Sequence, residues 1–297
     1  MILYKYNRIK LLKILFISVL IVIKLNELYL RSDNHLNRKN MFTKIEESYL
    51  KIFILTHKDF INHRYNSVYN IVADDKMQLN RTYNLNVIYA SDGILYNKKR
   101  GYCEMEKIYY IYQLYLKGNI SSKYIGFNHY RRYFNFTDNI PDLDEIFKSY
   151  DIILNAPINT TLGMKLQYCR FHICKMYEEI LDIIKEIKPE YYKTAIETSE
   201  QNIVYICNLF IMKKKDFLKY CKFMFDILFE FDKRHNFKND NDILNFTNKI
   251  YNNTYYAKLQ ARLEGYLSER ISNIFYFHNF KRIKSFKMLF ENNMKRY

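Results

Sequence analysis

The most constraining feature of the sequence is an alternation between short apolar runs, which end in polar residues, and longer amphipathic stretches. Lys51-Ile52-Phe53-Ile54-Leu55-Thr56 is rich in β-branched and aromatic residues, and residues 86–90, 123–128 and 151–154 are similar runs. Between them, residues 104–117 place apolar side chains at the i, i+3, i+4, i+7 spacing of a helix. Strands that alternate with helices predict an α/β fold with a mostly parallel sheet.

Further elements continue this pattern along the chain. Helices are predicted at residues 175–188, 216–232 and 257–276, and Pro189 is expected to end the first of them. A strand is predicted at residues 203–212. Ligands of open α/β sheets bind beyond the carboxyl ends of the strands. Polar residues that follow the apolar runs are therefore the first candidates for chemistry.

The N-terminal segment differs from the rest of the chain. Basic residues precede an apolar run over residues 14–23, and no small-residue cleavage site follows it. Lys13 and Lys24 can extend their ammonium groups to the bilayer surface, which lengthens the segment enough for a thin bilayer. We predict a single-pass membrane protein with its basic N-terminus in the cytoplasm, a type II topology that would place a eukaryotic protein in the Golgi or endoplasmic reticulum. A cleaved signal peptide and a surface-lying helix are the alternatives.

The predicted organisation has five parts. A short basic cytoplasmic tail (residues 1–10), a transmembrane signal anchor (11–30) and a stem (31–48) precede the globular domain (49–280). A basic tail (281–297) follows it.

The positive charge of the chain is weak evidence for a nucleic-acid partner. The chain has 47 Lys and Arg against 31 Asp and Glu, a formal charge of +16. Residues 1–40 hold eight basic and two acidic residues, which supply +6 of that charge. No basic run exceeds three residues, as in Lys213-Lys214-Lys215, and no zinc-finger, basic-zipper or RNA-binding pattern is present. We predict no nucleic-acid partner, with a basic peripheral membrane or nucleic-acid protein as a minor alternative.

The five cysteines are predicted to be structural. They form no C-x-x-C pair, and each has apolar or aromatic neighbours, which is typical of small buried hydrophobic residues. Their odd number and their spacing leave metal ligation and a single disulfide open.

The strongest candidate site is the run Tyr124-Ile125-Gly126-Phe127-Asn128-His129-Tyr130-Arg131-Arg132-Tyr133-Phe134. A predicted buried strand ends there and is followed at once by polar and aromatic side chains. The guanidiniums of Arg131 and Arg132 can each form bidentate hydrogen bonds, which suits a diphosphate. His129 and Tyr130 could stack on a base or a sugar ring. The alternative is that both arginines form surface ion pairs while the aromatic residues cover the sheet edge.

Weaker candidates are single polar residues near the ends of other predicted elements. They are Thr56, His57 and Lys58 after the first strand, Asp92 after the second, Glu104 at the start of a helix, Asn208 within the strand 203–212, and Glu269 in the last helix. Caps, turns, the helix macrodipole and surface salt bridges explain most of these positions equally well, but a buried Asn208 needs hydrogen-bond partners.

Established catalytic motifs are missing from the sequence. It has no G-x-S-x-G, P-loop, G-x-G-x-x-G or H-E-x-x-H pattern. Asp142-Leu143-Asp144 and Asp240-Asn241-Asp242 do not closely follow an apolar strand, where a metal–diphosphate site would place them. We predict no metal ligands, and dependence on a divalent metal stays open.

Several blocks, taken together, resemble one family. They are residues 52–58, Tyr102-Cys103-Glu104, residues 124–134, 149–154, 207–214 and 225–230, and Gly265-Tyr266-Leu267-Ser268-Glu269-Arg270, in family order. The chain resembles, over about residues 50–275, the capsular-polysaccharide and O-antigen glycosyltransferases long catalogued as a domain of unknown function. The H-Y-R-R-Y-F and G-Y-L-S-E-R blocks are the specific ones.

The resemblance implies a fold and an activity. The fold is a single Rossmann-like domain similar to the A-type glycosyltransferase fold, and the activity is hexosyl transfer from a nucleotide sugar. One member of the family looks like a galactofuranosyltransferase. Residues 92–100 are shorter and less acidic than the corresponding loop of the family, so the donor sugar is not carried over.

A mechanism follows from these residues as a hypothesis. Arg131 and Arg132, with His129, would hold the diphosphate in place of a metal ion. Glu104 or Glu269 is preferred to His129 as the general base. The donor would also contact Thr56, His57, Lys58, Asp92, Tyr130 and Asn208. No cofactor is predicted beyond the nucleotide-diphosphate sugar donor, and the partners are that donor, a glycan acceptor and the membrane. The alternative function is a membrane-tethered carbohydrate-binding protein without turnover.

Overall fold

The sheet is built from nine strands among residues 47–60, 67–74, 85–136 and 139–290, which the computed structural model describes. The strands are β1 (Ser48–Leu55), β2 (Tyr69–Ala73), β3 (Asn86–Tyr89), β4 (Ser122–His129), β5 (Arg132–Phe134), β6 (Ile152–Asn155), β9 (Phe210–Lys213), β10 (Ile283–Phe286) and β11 (Met288–Phe290). Two further short strands, β7 (Ile158–Asn159) and β8 (Ile203–Val204), pair with each other in a separate sheet.

The order of the main sheet is β10-β6-β9-β4-β1-β2-β3, and β5 and β11 extend from the end of β4. Strand β1 pairs in parallel with β2 and β4, and β2 pairs in parallel with β3. Strand β9 lies antiparallel between β4 and β6. The predicted α/β fold with a parallel-rich sheet is confirmed, and the carboxyl ends of β1, β2 and β4 meet at one edge of it.

Ten α-helices surround the sheet within the described residues. They are α1 (Lys99–Tyr102), α2 (Glu104–Leu116), α3 (Leu143–Ser149), α4 (Gly163–Phe171), α5 (Cys174–Ile187), α6 (Pro189–Glu200), α7 (Lys214–His235), α8 (Asp240–Ile250), α9 (Thr254–Gln260) and α10 (Leu263–Asn279). Short 3₁₀ turns at Ala90–Asp92 and Tyr96–Lys98 precede α1.

Both faces of the sheet are buried, as the continuous apolar runs predict. Successive side chains of a strand point to opposite faces. Phe53 and Leu55 of β1 therefore join the larger core with α2, α7 and α10, whereas Ile52 and Ile54 join the smaller core with α3. The ring of Phe127 in β4 packs against Phe53 at 5.4 Å.

Two predicted elements are interrupted in the structure. The predicted strand 203–212 is split into β8 and β9, because Cys207 and Asn208 adopt left-handed backbone angles, with φ of 70° and 47°. Asn208 is therefore in a turn, contrary to its predicted place within a strand. The predicted helix 257–276 is likewise split into α9 and α10. Pro189 follows the end of α5 and begins α6, where its fixed φ suits the first helical position.

The predicted membrane localisation is corrected by the structure. Among the residues that the structure describes, no helix is both long enough and apolar enough to cross a bilayer. The longest, α7, has 22 residues, but charged side chains such as Lys219 and Asp226 recur along it. The predicted tail at 1–10, the anchor at 11–30 and nearly all of the stem at 31–48 lie outside the described residues.

The segment predicted as a basic C-terminal tail contributes to the sheet in its described part. Strand β10 pairs in parallel with β6, and β11 pairs antiparallel with β5. Ile283 packs against the larger core and Phe286 against the smaller one, so the two faces of β10 contact different cores.

The cysteines combine the predicted role of small buried residues with the single disulfide that their spacing leaves open. Cys169 and Cys174 form a disulfide between α4 and α5. Cys221 is fully buried in α7, as expected of a small hydrophobic residue, whereas Cys103 and Cys207 are half-buried.

Helix α10 lies very close to the start of α2. A Cβ atom added at Gly265 would lie 2.6 Å from the Sγ atom of Cys103 and 2.9 Å from its Cβ atom. Only a residue without a side chain fits between these helices without movement of one of them.

Substitution Gly265→Ala should therefore lower the free energy of unfolding by about 1–3 kcal/mol, the usual cost of overpacking. Urea denaturation measures this cost, and the double variant with Cys103→Ala is the control. Removal of the sulfur relieves the closer contact, so Gly265→Ala should cost at least about 0.5 kcal/mol less in that background. Equal costs in both backgrounds would contradict the proposed contact.

Candidate active site

A cavity of about 1090 Å³ opens at the carboxyl edge of β1, β2 and β4 and is closed on its far side by α10. Nine of the predicted site residues line it: Thr56, His57, Lys58, Glu104, His129, Tyr130, Arg131, Arg132 and Glu269. Asn208 lies behind this lining and contacts Glu104. Asp92 is exposed in the Ala90–Asp92 turn and is not among the residues that line the cavity.

The tight connection from β4 to β5 positions the two arginines. His129 pairs with Arg132 across this hairpin, so Tyr130 and Arg131 form its tip. The tip is held to the sheet because the Tyr130 N–H donates to the Leu55 carbonyl at 3.1 Å. The guanidinium of Arg131 lies 5.1 Å from the centre of the Tyr130 ring.

Neither arginine forms an ion pair with another described residue, contrary to the alternative in which both arginines form surface ion pairs. No salt bridge links Arg131 or Arg132 to a carboxylate within the described part of the chain. The Nε atom of Arg131 is buried and has no hydrogen-bond partner among those residues. A buried guanidinium donor without a partner is costly, which is why such a group is a candidate for binding an anion.

His129 lies beside the arginines as a neutral ring. Burial, with the positive charges of Arg132 and Arg131, lowers its pKa from 6.5 to about 3. Its Nδ1 atom accepts a hydrogen bond from the Arg131 backbone N–H at 3.3 Å. The proton of the neutral ring must therefore be on Nε2. His129 can donate one hydrogen bond to a ligand, but it adds no positive charge.

The residues that follow β1 form a turn and place the His57 ring beside Tyr130. The Oγ1 atom of Thr56 accepts a hydrogen bond from the Lys58 backbone N–H at 3.2 Å, so this hydroxyl is used within the turn. The exposed His57 ring meets the edge of the Tyr130 ring, with centroids 5.2 Å apart. The Nζ atom of Lys58 lies 5.6 Å from the centre of the same ring.

Two carboxyl groups lie on the helical side of the cavity. The Oε1 atom of Glu104 accepts from the Asn208 side chain at 3.3 Å, and Asn208 in turn accepts from Ser272 at 2.9 Å. Partial burial, followed by the charge of Glu269, raises the pKa of Glu104. The carboxylate of Glu269 makes more contacts with the protein than that of Glu104, because it accepts from the Cys207 N–H at 3.0 Å and from Arg270 at 2.8 Å.

The cavity is strongly positive. Eight basic side chains line it (Lys58, Lys99, Arg100, Lys107, Arg131, Arg132, Arg262 and Arg270), against four acidic ones (Asp74, Glu104, Asp240 and Glu269). Such a cleft concentrates anionic ligands by focusing the electric field.

Several lining residues were not predicted from the sequence. Asp74 follows β2 directly and pairs with Lys107 at 2.5 Å. The apolar run Tyr69-Asn70-Ile71-Val72-Ala73 before it is the signal that could have found it. Gln167, Phe171 and His172 come from α4 and the turn after it, and no local pattern marks them.

The aspartates of the two Asp-x-Asp segments, at residues 142–144 and 240–242, form hydrogen bonds within the protein. Asp142 caps α3, and Asp144 binds Lys123 and Tyr124 near the start of β4. Asp240 accepts hydrogen bonds from the backbone N–H groups before α2, although it also lines the cavity. Within the described ranges, no three His, Cys, Asp or Glu side chains are grouped so that they could hold a metal ion.

A family model described as a domain of unknown function, DUF4422, matches residues 51–280. The chain belongs to this family. The resemblance to a domain of unknown function is thereby confirmed. No curated protein matches the chain in sequence.

A solved structure described as the apo form of the bifunctional glycosyltransferase WbbM is similar to this DUF4422 chain, with a TM-score of 0.60 and 20% sequence identity. The match covers 83% of this chain and 46% of that one, so the chain spans less than half the length of WbbM. At this identity the likeness is one of fold.

The ring of His129 should remain neutral in the folded protein at pH 5, because its pKa is about 3. Two-dimensional ¹H–¹⁵N NMR of the imidazole nitrogens measures this, with His129→Gln for assignment. Since the unfolded histidine binds its proton near pH 6.5, the unfolded chain binds more protons than the folded one between pH 6.5 and 3. The contribution of His129 to the free energy of unfolding, measured as the difference between the wild type and His129→Gln, should accordingly decrease as the pH is lowered through that range. A titration midpoint above pH 6 would contradict the buried, arginine-flanked ring.

Proposed function

We propose that the protein is a glycosyltransferase that moves a sugar from a nucleoside-diphosphate sugar to a hydroxyl group of a glycan. The observation that carries the proposal is one cavity with two adjacent guanidiniums at a sheet edge and two carboxyl groups near each other on its helical side. The first pair suits the diphosphate of a donor, and the second suits removal of a proton from an acceptor.

Donor binding is assigned to the β4–β5 hairpin. Arg131 and Arg132 lack salt-bridge partners in the described ranges, so a diphosphate would replace no existing ion pair. A guanidinium binds two phosphate oxygens at once, and two guanidiniums can hold both phosphates. The neutral His129 adds a single Nε2–H donor, and the Tyr130 and His57 rings offer stacking surfaces for the base.

The reaction breaks one bond and forms another. The acceptor hydroxyl oxygen attacks the anomeric carbon of the donor sugar, and the bond from that carbon to the diphosphate oxygen breaks with its electron pair. The nucleoside diphosphate leaves with that negative charge, which Arg131 and Arg132 stabilise. The acceptor proton passes to a carboxylate and then to water.

Glu104 is the better candidate for the general base. A raised pKa makes a carboxylate a stronger proton acceptor near neutral pH. Among the residues that the structure describes, Asn208 is the one side chain that donates a hydrogen bond to the Glu104 carboxylate. Glu269 is already bound to Cys207 and Arg270, which suits a positioning residue.

The fold likeness to a bifunctional glycosyltransferase and the sequence blocks support this class of reaction. A role in capsular-polysaccharide or O-antigen synthesis, and a hexose donor with galactofuranose among the candidates, are the finer proposals that the resemblance implies. A carbohydrate-binding protein without turnover is the competing function, and it would not need both guanidiniums.

Substitution Arg131→Lys or Arg132→Lys should reduce turnover by about 10²–10³, because lysine cannot form the bidentate contacts to the leaving diphosphate. UDP and GDP affinities by isothermal titration calorimetry, and release of nucleoside diphosphate from a panel of UDP- and GDP-sugars, measure the effect. Arg282→Lys, at an exposed ion pair with Asp151, is the matched control. Unchanged affinity and turnover in both variants would remove the assignment, and glycan binding without turnover in the wild type would favour the competing function.

Substitution Glu104→Gln should abolish most turnover while UDP or GDP affinity stays within about twofold, because the base acts on the acceptor. In the wild type, the acid limb of the pH–rate profile should report the pKa of Glu104, which lies above the ordinary glutamate pKa of 4.5. This limb should be absent from the profile of Glu104→Gln. Glu269→Gln is the comparison. If it removes the acid limb and Glu104→Gln does not, the two roles are exchanged.

A further inference from the structure

One wall of the cavity is aromatic and takes no part in the donor site described above. It is formed by Phe171 at the end of α4, by His172 in the turn to α5, and by Tyr266 of α10. The rings of His172 and Tyr266 are stacked, with centroids 3.9 Å apart and planes 26° apart. Phe171 is 58% exposed, so much of its ring is open to a ligand. We define these three residues as the aromatic wall.

The rings of the aromatic wall are uncharged at neutral pH. Burial lowers the pKa of His172 to about 4, and its Nδ1 atom lies 3.2 Å from the Gln260 side-chain oxygen. The guanidinium of Arg262 lies 5.4 Å from the centre of the Tyr266 ring, and its Nε donates to the Cys103 sulfur. Neutral rings suit the apolar C–H face of a sugar better than they suit a phosphate.

Polar groups stand next to these rings. Arg270 donates to Gln167 at 2.6 Å and to Glu269 at 2.8 Å, and all three side chains line the cavity. A small number of fixed polar groups beside an apolar surface is the usual composition of a ligand site that orients its ligand. Sugar hydroxyls would find both donors and acceptors here.

The segment that carries Phe171 and His172, from the end of α4 into the turn before α5, is fixed in place. The Cys169–Cys174 disulfide encloses it. The Phe171 carbonyl accepts from the Gln260 side chain at 2.8 Å, and the His172 N–H donates to the Tyr168 carbonyl at 2.9 Å. A surface that is rigid before binding loses little entropy when a ligand docks.

The cavity is also large for one ligand. Its volume of about 1090 Å³ exceeds the range of about 300–1,000 Å³ that single small-molecule sites occupy. A donor at the β4–β5 hairpin therefore leaves room for a second ligand.

We propose that the aromatic wall is the acceptor subsite, where a neutral sugar ring of the glycan stacks on Phe171 and His172 and bonds through its hydroxyls to Gln167 and Arg270. The proposal rests on the proposed function, because it names the acceptor of that reaction. It places the acceptor next to Glu104 and Glu269, which line the same cavity.

Saturation-transfer NMR on the full chain tests the subsite, with methyl β-galactopyranoside, methyl β-glucopyranoside, methyl α-mannopyranoside and methyl N-acetyl-β-glucosaminide as probes. At least one of these glycosides should bind the wild type. Phe171→Ala and His172→Ala should each weaken that binding about fivefold or more, the value of one lost ring contact. Tyr255→Ala, at a ring 72% exposed in α9, is the matched control and should change nothing.

A parallel UDP and GDP titration separates this proposal from the proposed function. If neither nucleotide binds but glycoside binding is lost in the two variants, the aromatic wall is a sugar site and the glycosyltransferase proposal fails. If no glycoside binds the wild type, or if binding is unchanged in both variants, the acceptor subsite is overturned whatever the nucleotides do. Because Phe171 is exposed, its replacement should leave the circular dichroism spectrum unchanged, and a folded Phe171→Ala keeps the test valid.

Discussion

The cavity depends on the contact of helix α10 with two segments that are far from it in sequence. Gly265 lets α10 approach Cys103 at the start of α2. One turn further along, Glu269 accepts from the Cys207 N–H. Two turns from Gly265, Asn273 binds both the N–H and the carbonyl of Tyr205. These bonds hold the left-handed turn before β9 against the sheet edge. Glu104 is thereby brought close to Glu269, opposite the strand ends that carry the arginines.

The same arrangement determines the electrostatics of the site. Burial on the helical side raises the pKa of Glu104, and burial beside two guanidiniums keeps His129 neutral. The positive charge that a diphosphate would meet therefore comes from Arg131, Arg132 and the surrounding lysines rather than from histidine. The residues assigned to the negative charge of the donor and the residue assigned to the proton of the acceptor lie on opposite walls of the cavity. No single side chain therefore has to perform both functions.

The sequence best predicts the features that depend on a local pattern of apolar and polar residues. Apolar runs followed at once by polar residues located β1 and β4, and with them the turn at Thr56 and the arginines at the β4–β5 hairpin. The prediction of a continuous strand at residues 203–212 is wrong at Asn208, because this apolar run contains two residues with positive φ that no sequence pattern marks. The antiparallel direction of β9 and the aromatic wall arise from contacts between distant segments, which no periodicity records. The sequence does not predict the Cys169–Cys174 disulfide, because an odd number of cysteines does not define a pairing.

The central claim is that Arg131 and Arg132 bind the diphosphate of a nucleotide sugar. The most direct measurement is a crystal structure of the protein with UDP or GDP, whichever binds more tightly. The account predicts phosphate oxygens within about 3.2 Å of both guanidiniums, at the carboxyl edge of β1 and β4. A nucleotide bound outside this cavity, or a diphosphate that contacts neither arginine, would contradict it.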